Sequence, residues 1–166
     1  MIYLLLLLLW ASPVGAMTVE EAYRAIPHGR TVFDNASAQM SRQEVEYLQR
    51  LFEWIDQAIV AKETVMQNTP ADEAYAPVWS LEKTLQPPSN LKPLQAQVEK
   101  SIKSEYRYLK DRQTAGIHTF NAGDPNVQTA SQYAHQAYSE LMALYPKENP
   151  HNKQAFYDYL CALDFL

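Results

Sequence analysis

The sequence predicts an all-α protein, an up-and-down-like helical bundle of four principal helices preceded by a short N-terminal helix. The main observation is the segment from Ser41 to Met66, in which apolar residues recur at helical spacing over about half of the helix circumference. One packing neighbour needs an apolar stripe of only about 100°. This helix is therefore expected to contact at least two others. Three later segments are also helical in pattern, and no two segments alternate as a strand pair would.

The first residues predict a secretory signal peptide over 1–16. An apolar run from Ile2 to Trp10 is followed by small residues that favour cleavage after Ala16. The run is shorter than the roughly 20 residues that a membrane-spanning helix needs, so no transmembrane segment is expected in the mature chain. Residues 17–166 then have the length of a single helical domain with its own hydrophobic core.

The cysteine content indicates the compartment. Cys161 is the only cysteine, so no internal disulfide can form and the fold must depend on packing. A cysteine-poor exported chain is more typical of a bacterial periplasm than of a eukaryotic extracellular space. We therefore expect an exported, periplasmic protein. An unpaired cysteine in such a protein also raises the hypothesis of a homodimer linked through Cys161.

Two helices begin with capping boxes, in which a hydroxyl side chain and a glutamate three residues later bind each other's backbone amides. Thr18 and Glu21 predict a short helix over 18–26. Ser41 and Glu44 predict the start of the central helix. Both N-termini are thus expected to be well defined.

The segments on either side of the central helix are expected to be irregular. Residues 30–39 are interpreted as a connector. Residues 67–93 contain five prolines, which predict that no long regular element forms there beyond one or two helical turns around 80–85. The apolar residues among them favour a connection packed across the bundle over a solvated tether.

Three further helices complete the predicted bundle. One spans about 93–112 and ends near Gly116, because glycine readily adopts the left-handed conformation that closes a helix. The next spans about 128–145. The last begins with Asn149 as its cap and Pro150 as its first residue, and continues nearly to the C-terminus.

Motifs for enzymatic chemistry are missing from the sequence. It has no haem-attachment Cys-x-x-Cys-His, no zinc-binding His-Glu-x-x-His and no glycine-rich phosphate loop. The one Glu-x-x-His match, Glu148 to His151, spans a helix start and is a poor metal site. We therefore predict a non-enzymatic protein with no catalytic residue, no cofactor and no metal. A bundle that binds a small ligand or haem among Trp54, Tyr106 and Tyr133 is the alternative.

A basic ridge is the first candidate for a binding surface. In residues 92–112, five cations fall within about a quarter of the helical circle: Lys92, Lys100, Lys103, Arg107 and Lys110. The last four form the basic ridge to be tested first. They favour an acidic partner or an envelope protein, so the predicted function is protein–protein binding in the cell envelope. A solvated face paired with acidic residues of the central helix is the other interpretation. The net charge of −5 argues against nucleic acid as a partner.

Overall fold

The computed structural model describes residues 15–36 and 38–165. The predicted signal peptide lies outside these ranges except for its last two residues. All regular elements in the described ranges are helices, which confirms the all-α class. One 3₁₀ turn, Ser89–Leu91, precedes α4. The α-helices are α1 (Val19–Tyr23), α2 (Arg42–Met66), α3 (Ala71–Glu82), α4 (Lys92–Ala115), α5 (Pro125–Leu144) and α6 (Pro150–Ala162).

The central helix α2 begins where its capping box predicts. The Glu44 amide donates to Ser41 Oγ at 3.2 Å, and the Ser41 amide donates to Glu44 Oε2 at 2.9 Å. The same reciprocal pair between Thr18 and Glu21 caps α1. Along its length α2 packs against α1, α3, α4 and α6, so the expectation of at least two neighbours is confirmed.

The expectation that residues 67–93 hold no long regular element is wrong, because twelve of them form α3. Pro70 is the N-cap of α3, a position that needs no amide donor. Pro77 lies inside the helix on its exposed face. Its missing N–H leaves the Glu73 carbonyl without a helical partner, but Glu73 is exposed and water can replace that bond. Burial of Tyr75 and Val78 on the opposite face stabilises the helix.

The later helix ends follow their caps. Gly116 has φ +66° and closes α4, and the Ile117 amide donates to the Arg112 carbonyl at 3.0 Å. Helix α5 begins at Pro125 rather than at residue 128, because Asp124 accepts the Asn126 amide and acts as the N-cap. Asn149 caps α6 as predicted.

The segment between α1 and α2 is irregular, as predicted for a connector, but it is bound along its length. Three of its backbone amides donate at 2.8 Å to side chains near or within α6: Thr31 to Asp158, Asp34 to Asn152, and Gln39 to Glu148. Buried backbone amides need such partners when no helix supplies them. Polar side chains near the C-terminus thus replace the hydrogen bonds that regular structure would provide.

One hydrophobic cluster joins all six helices and the connector. Phe33 of the connector inserts between Phe52 of α2 and Phe156 of α6, with ring centroids 5.3 and 6.2 Å away. In the described ranges, no helix combines the length and hydrophobicity needed to cross a bilayer.

Candidate ligand-binding cavity

The basic ridge lies on α4 beside α3, and two of its cations are bound there. Lys103 Nζ lies 3.4 Å from a carboxylate oxygen of Glu82. Lys110 Nζ lies 2.9 Å from Asp72, at the start of α3. The interpretation that the ridge pairs with the central helix therefore needs correction, since these acidic partners belong to α3.

The other two residues of the basic ridge differ from each other. The Lys100 ammonium lies 4.8 Å from the centre of the Tyr133 ring on α5, within the range of a cation–π contact. Arg107 is exposed. Among the four, Arg107 is the cation whose replacement disturbs no contact described above.

The three aromatic residues predicted to hold a ligand do not line the cavity that lies at the C-terminal ends of α2, α4 and α6. Trp54 has no exposed surface, and its indole N–H donates to the Val78 carbonyl at 3.1 Å. Tyr106 packs against Trp79 on α3, whereas Tyr133 lies on α5 beneath Lys100. These aromatic side chains connect helices.

A cavity of about 840 Å³ lies where the C-terminal ends of α2, α4 and α6 meet. Residues 25–28, after α1, and residues 117–120, after α4, complete its walls. Its volume is within the range of about 300–1,000 Å³ that small-molecule sites usually have. We call it the end cavity.

Exposed apolar side chains are concentrated around the end cavity. Five large apolar residues in the described ranges are exposed, and four of them line it: Met66, Ile117, Phe120 and Tyr157. The fifth, Val32, does not. Scattered apolar residues on a surface are ordinary, but a contiguous group beside a cavity marks a binding surface.

Aromatic rings form one wall of the end cavity. Tyr108, Phe120 and Phe165 contact one another with centroid distances of 5.3 to 6.0 Å. The Arg112 guanidinium lies over the Tyr108 ring at 5.1 Å. This wall offers a large apolar surface with a cation at its edge.

The inner wall contains a nearly buried cation, Lys62, which is 8% exposed. Its ammonium donates to the Ala162 carbonyl at the end of α6, at 2.7 Å. It also lies 3.8 Å from Glu105 Oε2. Glu105 is fully buried, and its Oε1 accepts the Tyr75 hydroxyl at 2.6 Å. Burial raises the pKa of Glu105 to about 7, although Lys62 acts in the opposite direction.

The raised pKa of Glu105 predicts a pH-dependent stability. Between its ordinary value of 4.5 and about 7, the native state keeps a proton that the unfolded state has lost. The free energy of unfolding should therefore fall as pH rises through this window. Glu105→Gln removes this titration. The Tm of the variant minus the Tm of wild type should therefore increase by about 4 °C or more as pH rises from about 5 to about 8.

Thermal melts monitored by circular dichroism at several pH values measure this difference. Glu53→Gln, which neutralises an exposed carboxylate on α2, is the matched control and should track wild type. A Tm difference between Glu105→Gln and wild type that stays constant with pH would show that Glu105 does not titrate in this window.

Cys161, His28 and Asp158 are the nearest approach to a catalytic arrangement at the end cavity. His28 Nδ1 lies 3.3 Å from Asp158 Oδ1, and both His28 and Cys161 line the cavity. Burial raises the pKa of the Cys161 thiol, whereas a nucleophilic cysteine needs a lowered pKa. The arrangement therefore lacks an activated thiol. The homodimer linked through Cys161 stays a prediction.

Two other features of the described ranges do not form sites comparable to the end cavity. No group of three or more His, Cys, Asp and Glu side chains within them is placed to hold a metal ion. A second hollow, of about 760 Å³, lies on α4 and α5 and is lined mainly by polar side chains such as Gln97, Gln132 and Glu140. It lacks the exposed apolar residues that mark the end cavity.

No family model, no curated protein and no solved structure matches this chain. The geometry of the end cavity is thus the basis for a functional proposal.

Sequence reasoning missed the end cavity, although Lys62 in its wall and Glu105 behind Lys62 each had a local signal. Glu105 follows Ile102 by three residues and precedes Leu109 by four, which places a carboxylate on the apolar face of its helix. Lys62 follows Ile59 by three residues and precedes Val65 by three, so it also lies on an apolar face. A charge on an apolar face indicates a buried partner or a binding site.

Proposed function

We propose that this protein is an exported, periplasmic, non-enzymatic helical bundle that binds a small amphiphilic molecule in the end cavity. The observation that carries the proposal is the position of the exposed apolar side chains, four of five of which line this one cavity. An apolar ligand would remove them from water, at roughly 25 cal/mol for each Å² buried.

The polar groups support the same function. Small-molecule sites are mostly apolar, with a few polar groups that fix the orientation of the ligand. In the end cavity Lys62 lies on the inner wall and Arg112 near the aromatic wall. The proposal includes an up-and-down-like arrangement of the helices. This arrangement places the C-terminal ends of α2, α4 and α6 around one cavity.

Fluorescence titration with N-phenyl-1-naphthylamine, a neutral apolar probe, tests the proposed function. The wild-type protein should enhance the probe's emission in a saturable way. Ile117→Glu places a charge on the cavity wall and should weaken binding about tenfold, because an unpaired carboxylate would have to be desolvated by the ligand.

Val32→Glu is the matched control for this titration. Val32 is also β-branched and is 54% exposed, compared with 47% for Ile117, but it does not line the end cavity. It should bind the probe as wild type does. Equal loss in both variants, or no saturable binding by wild type, would contradict the proposed function.

Docking of an acidic envelope protein on the basic ridge is the second candidate function, and the exposure of Arg107 supports it. Arg107→Glu should weaken capture of such a partner from an envelope extract while Tm changes by no more than about 1–2 °C. Lys147→Glu reverses an exposed charge just after α5, outside the ridge, and is the control. Undiminished capture by Arg107→Glu would exclude this docking surface.

A further inference from the structure

The Lys62 ammonium has unused hydrogen-bonding capacity at the wall of the end cavity. One of its three N–H groups donates to the Ala162 carbonyl. Glu105 Oε2, at 3.8 Å, is beyond hydrogen-bond distance, and this oxygen accepts no hydrogen bond from the described residues. The Phe165 ring lies 5.3 Å from the ammonium. Within the described part of the chain, this nearly buried cation is thus held by a single hydrogen bond, although an ammonium can make three.

Arg112 supplies a second cation to the same cavity. Within the described residues, its guanidinium makes one hydrogen bond, a long one of 3.4 Å to the Thr119 hydroxyl. A guanidinium has five N–H donors in a planar arrangement suited to an oxyanion. Most of these donors are therefore available to a group that enters the cavity beside the Tyr108 ring.

The described residues contribute two carboxylates to the lining, Asp164 and Glu63. Asp164 Oδ2 lies 2.6 Å from His135 Nε2. The carbonyl groups at the end of α4 accept the amides of Gly116 and Ile117. Those at the end of α6 accept the amides of Leu163 and Asp164.

We infer that the ligand of the end cavity is an amphiphile with one anionic head group, an inference that rests on the proposed function. The head group binds Lys62 and Arg112 in competition with Glu105. The aromatic wall takes the apolar part of the ligand. The head group completes the hydrogen bonds that Lys62 lacks. Glu105 is the competitor because it is the carboxylate that faces Lys62 from the protein interior.

This competition links binding to pH. Protonation of Glu105 removes the carboxylate charge that faces Lys62 from the protein interior, so the cavity then attracts an anion more strongly. The charged or titratable groups that face Glu105 are Lys62 and Glu63 from α2 and Tyr75 from α3. His28 and His118 also line the cavity. The test therefore compares wild type with a variant in which residue 105 cannot titrate.

The experiment is displacement of N-phenyl-1-naphthylamine by decane-1-sulfonate and by decan-1-ol, which share one alkyl chain and differ in the head group. The sulfonate stays ionised throughout, so the pH dependence belongs to the protein. At about pH 6 wild type should bind the sulfonate roughly tenfold more tightly than the alcohol, and at about pH 8 this preference should fall severalfold. Arg112→Gln, at a partly exposed site, should reduce the preference at both pH values.

Glu105→Gln keeps an acceptor for the Tyr75 hydroxyl and mimics the protonated acid. It should retain the full preference for the sulfonate at about pH 8. A pH dependence that persists in Glu105→Gln would assign the effect to a group other than Glu105 and overturn the competition. If the alcohol binds as tightly as the sulfonate, the inference fails and the proposed function stands. If the probe itself does not bind, the proposed function fails.

Discussion

Replacing Trp54 by alanine is expected to lower the free energy of unfolding by about 3–5 kcal/mol, the range found when large aromatic side chains are removed from cores. Trp54 has no exposed surface, and it joins α2 to α3 through its ring and through the hydrogen bond from its indole N–H to the Val78 carbonyl. The substitution leaves a cavity between these helices. Urea denaturation followed by circular dichroism measures the loss.

Two further variants serve as controls for the loss measured with Trp54→Ala. Glu53→Ala changes the neighbouring exposed residue of α2 and should alter the free energy of unfolding by no more than about 0.5 kcal/mol. Trp54→Phe keeps most of the ring and should give an intermediate loss. If Trp54→Ala costs less than about 1 kcal/mol, Trp54 does not have the core position described here.

Arg30→Ala is expected to cost about 2–4 kcal/mol, because it leaves the carboxylate of Asp56 without its cation in the interior. Arg30 Nε lies 3.1 Å from Asp56 Oδ1, and its guanidinium lies 5.6 Å from the centres of the Tyr23 and Tyr159 rings. Asp56 is 5% exposed, and burial raises its pKa even beside Arg30. Equilibrium denaturation at neutral pH measures the effect.

The double variant Arg30→Met with Asp56→Leu is the control for that prediction. Replacing both members of a buried ion pair by apolar residues is often nearly neutral, whereas removal of one member is costly. The double variant should thus be more stable than Arg30→Ala. A double variant that is the less stable of the two would contradict the prediction, because the uncompensated carboxylate of Asp56 would then not be the source of the loss.

Features encoded by a few neighbouring residues could be predicted from the sequence. The caps of α1, α2 and α6 and the end of α4 at Gly116 were all predicted, because the groups that form them lie within about one turn of each other in the chain. The all-α class follows from the same helical periodicity.

Features that depend on distant residues could not be predicted. Helix α3 forms although Pro77 costs it a hydrogen bond, because Tyr75 and Val78 are buried against helices far away in the sequence. The end cavity depends on the meeting of three helix ends. Its charges also act across helices, since Lys62 of α2 faces Glu105 of α4. Lys62 and Glu105 each had a local signal in the sequence, but their pairing across two helices did not.

The hydrogen bonds between the connector and the C-terminal residues determine when, during synthesis, the N-terminal part of the chain can reach its native structure. They join residues 109 to 127 positions apart, so the amides of Thr31, Asp34 and Gln39 have no native partners until the final segment has been made. A nascent chain that lacks residues 148–166 cannot form these three hydrogen bonds of its N-terminal part. For a protein exported as proposed, this topology delays native folding until translation is nearly finished, which favours passage across a membrane in an unfolded state.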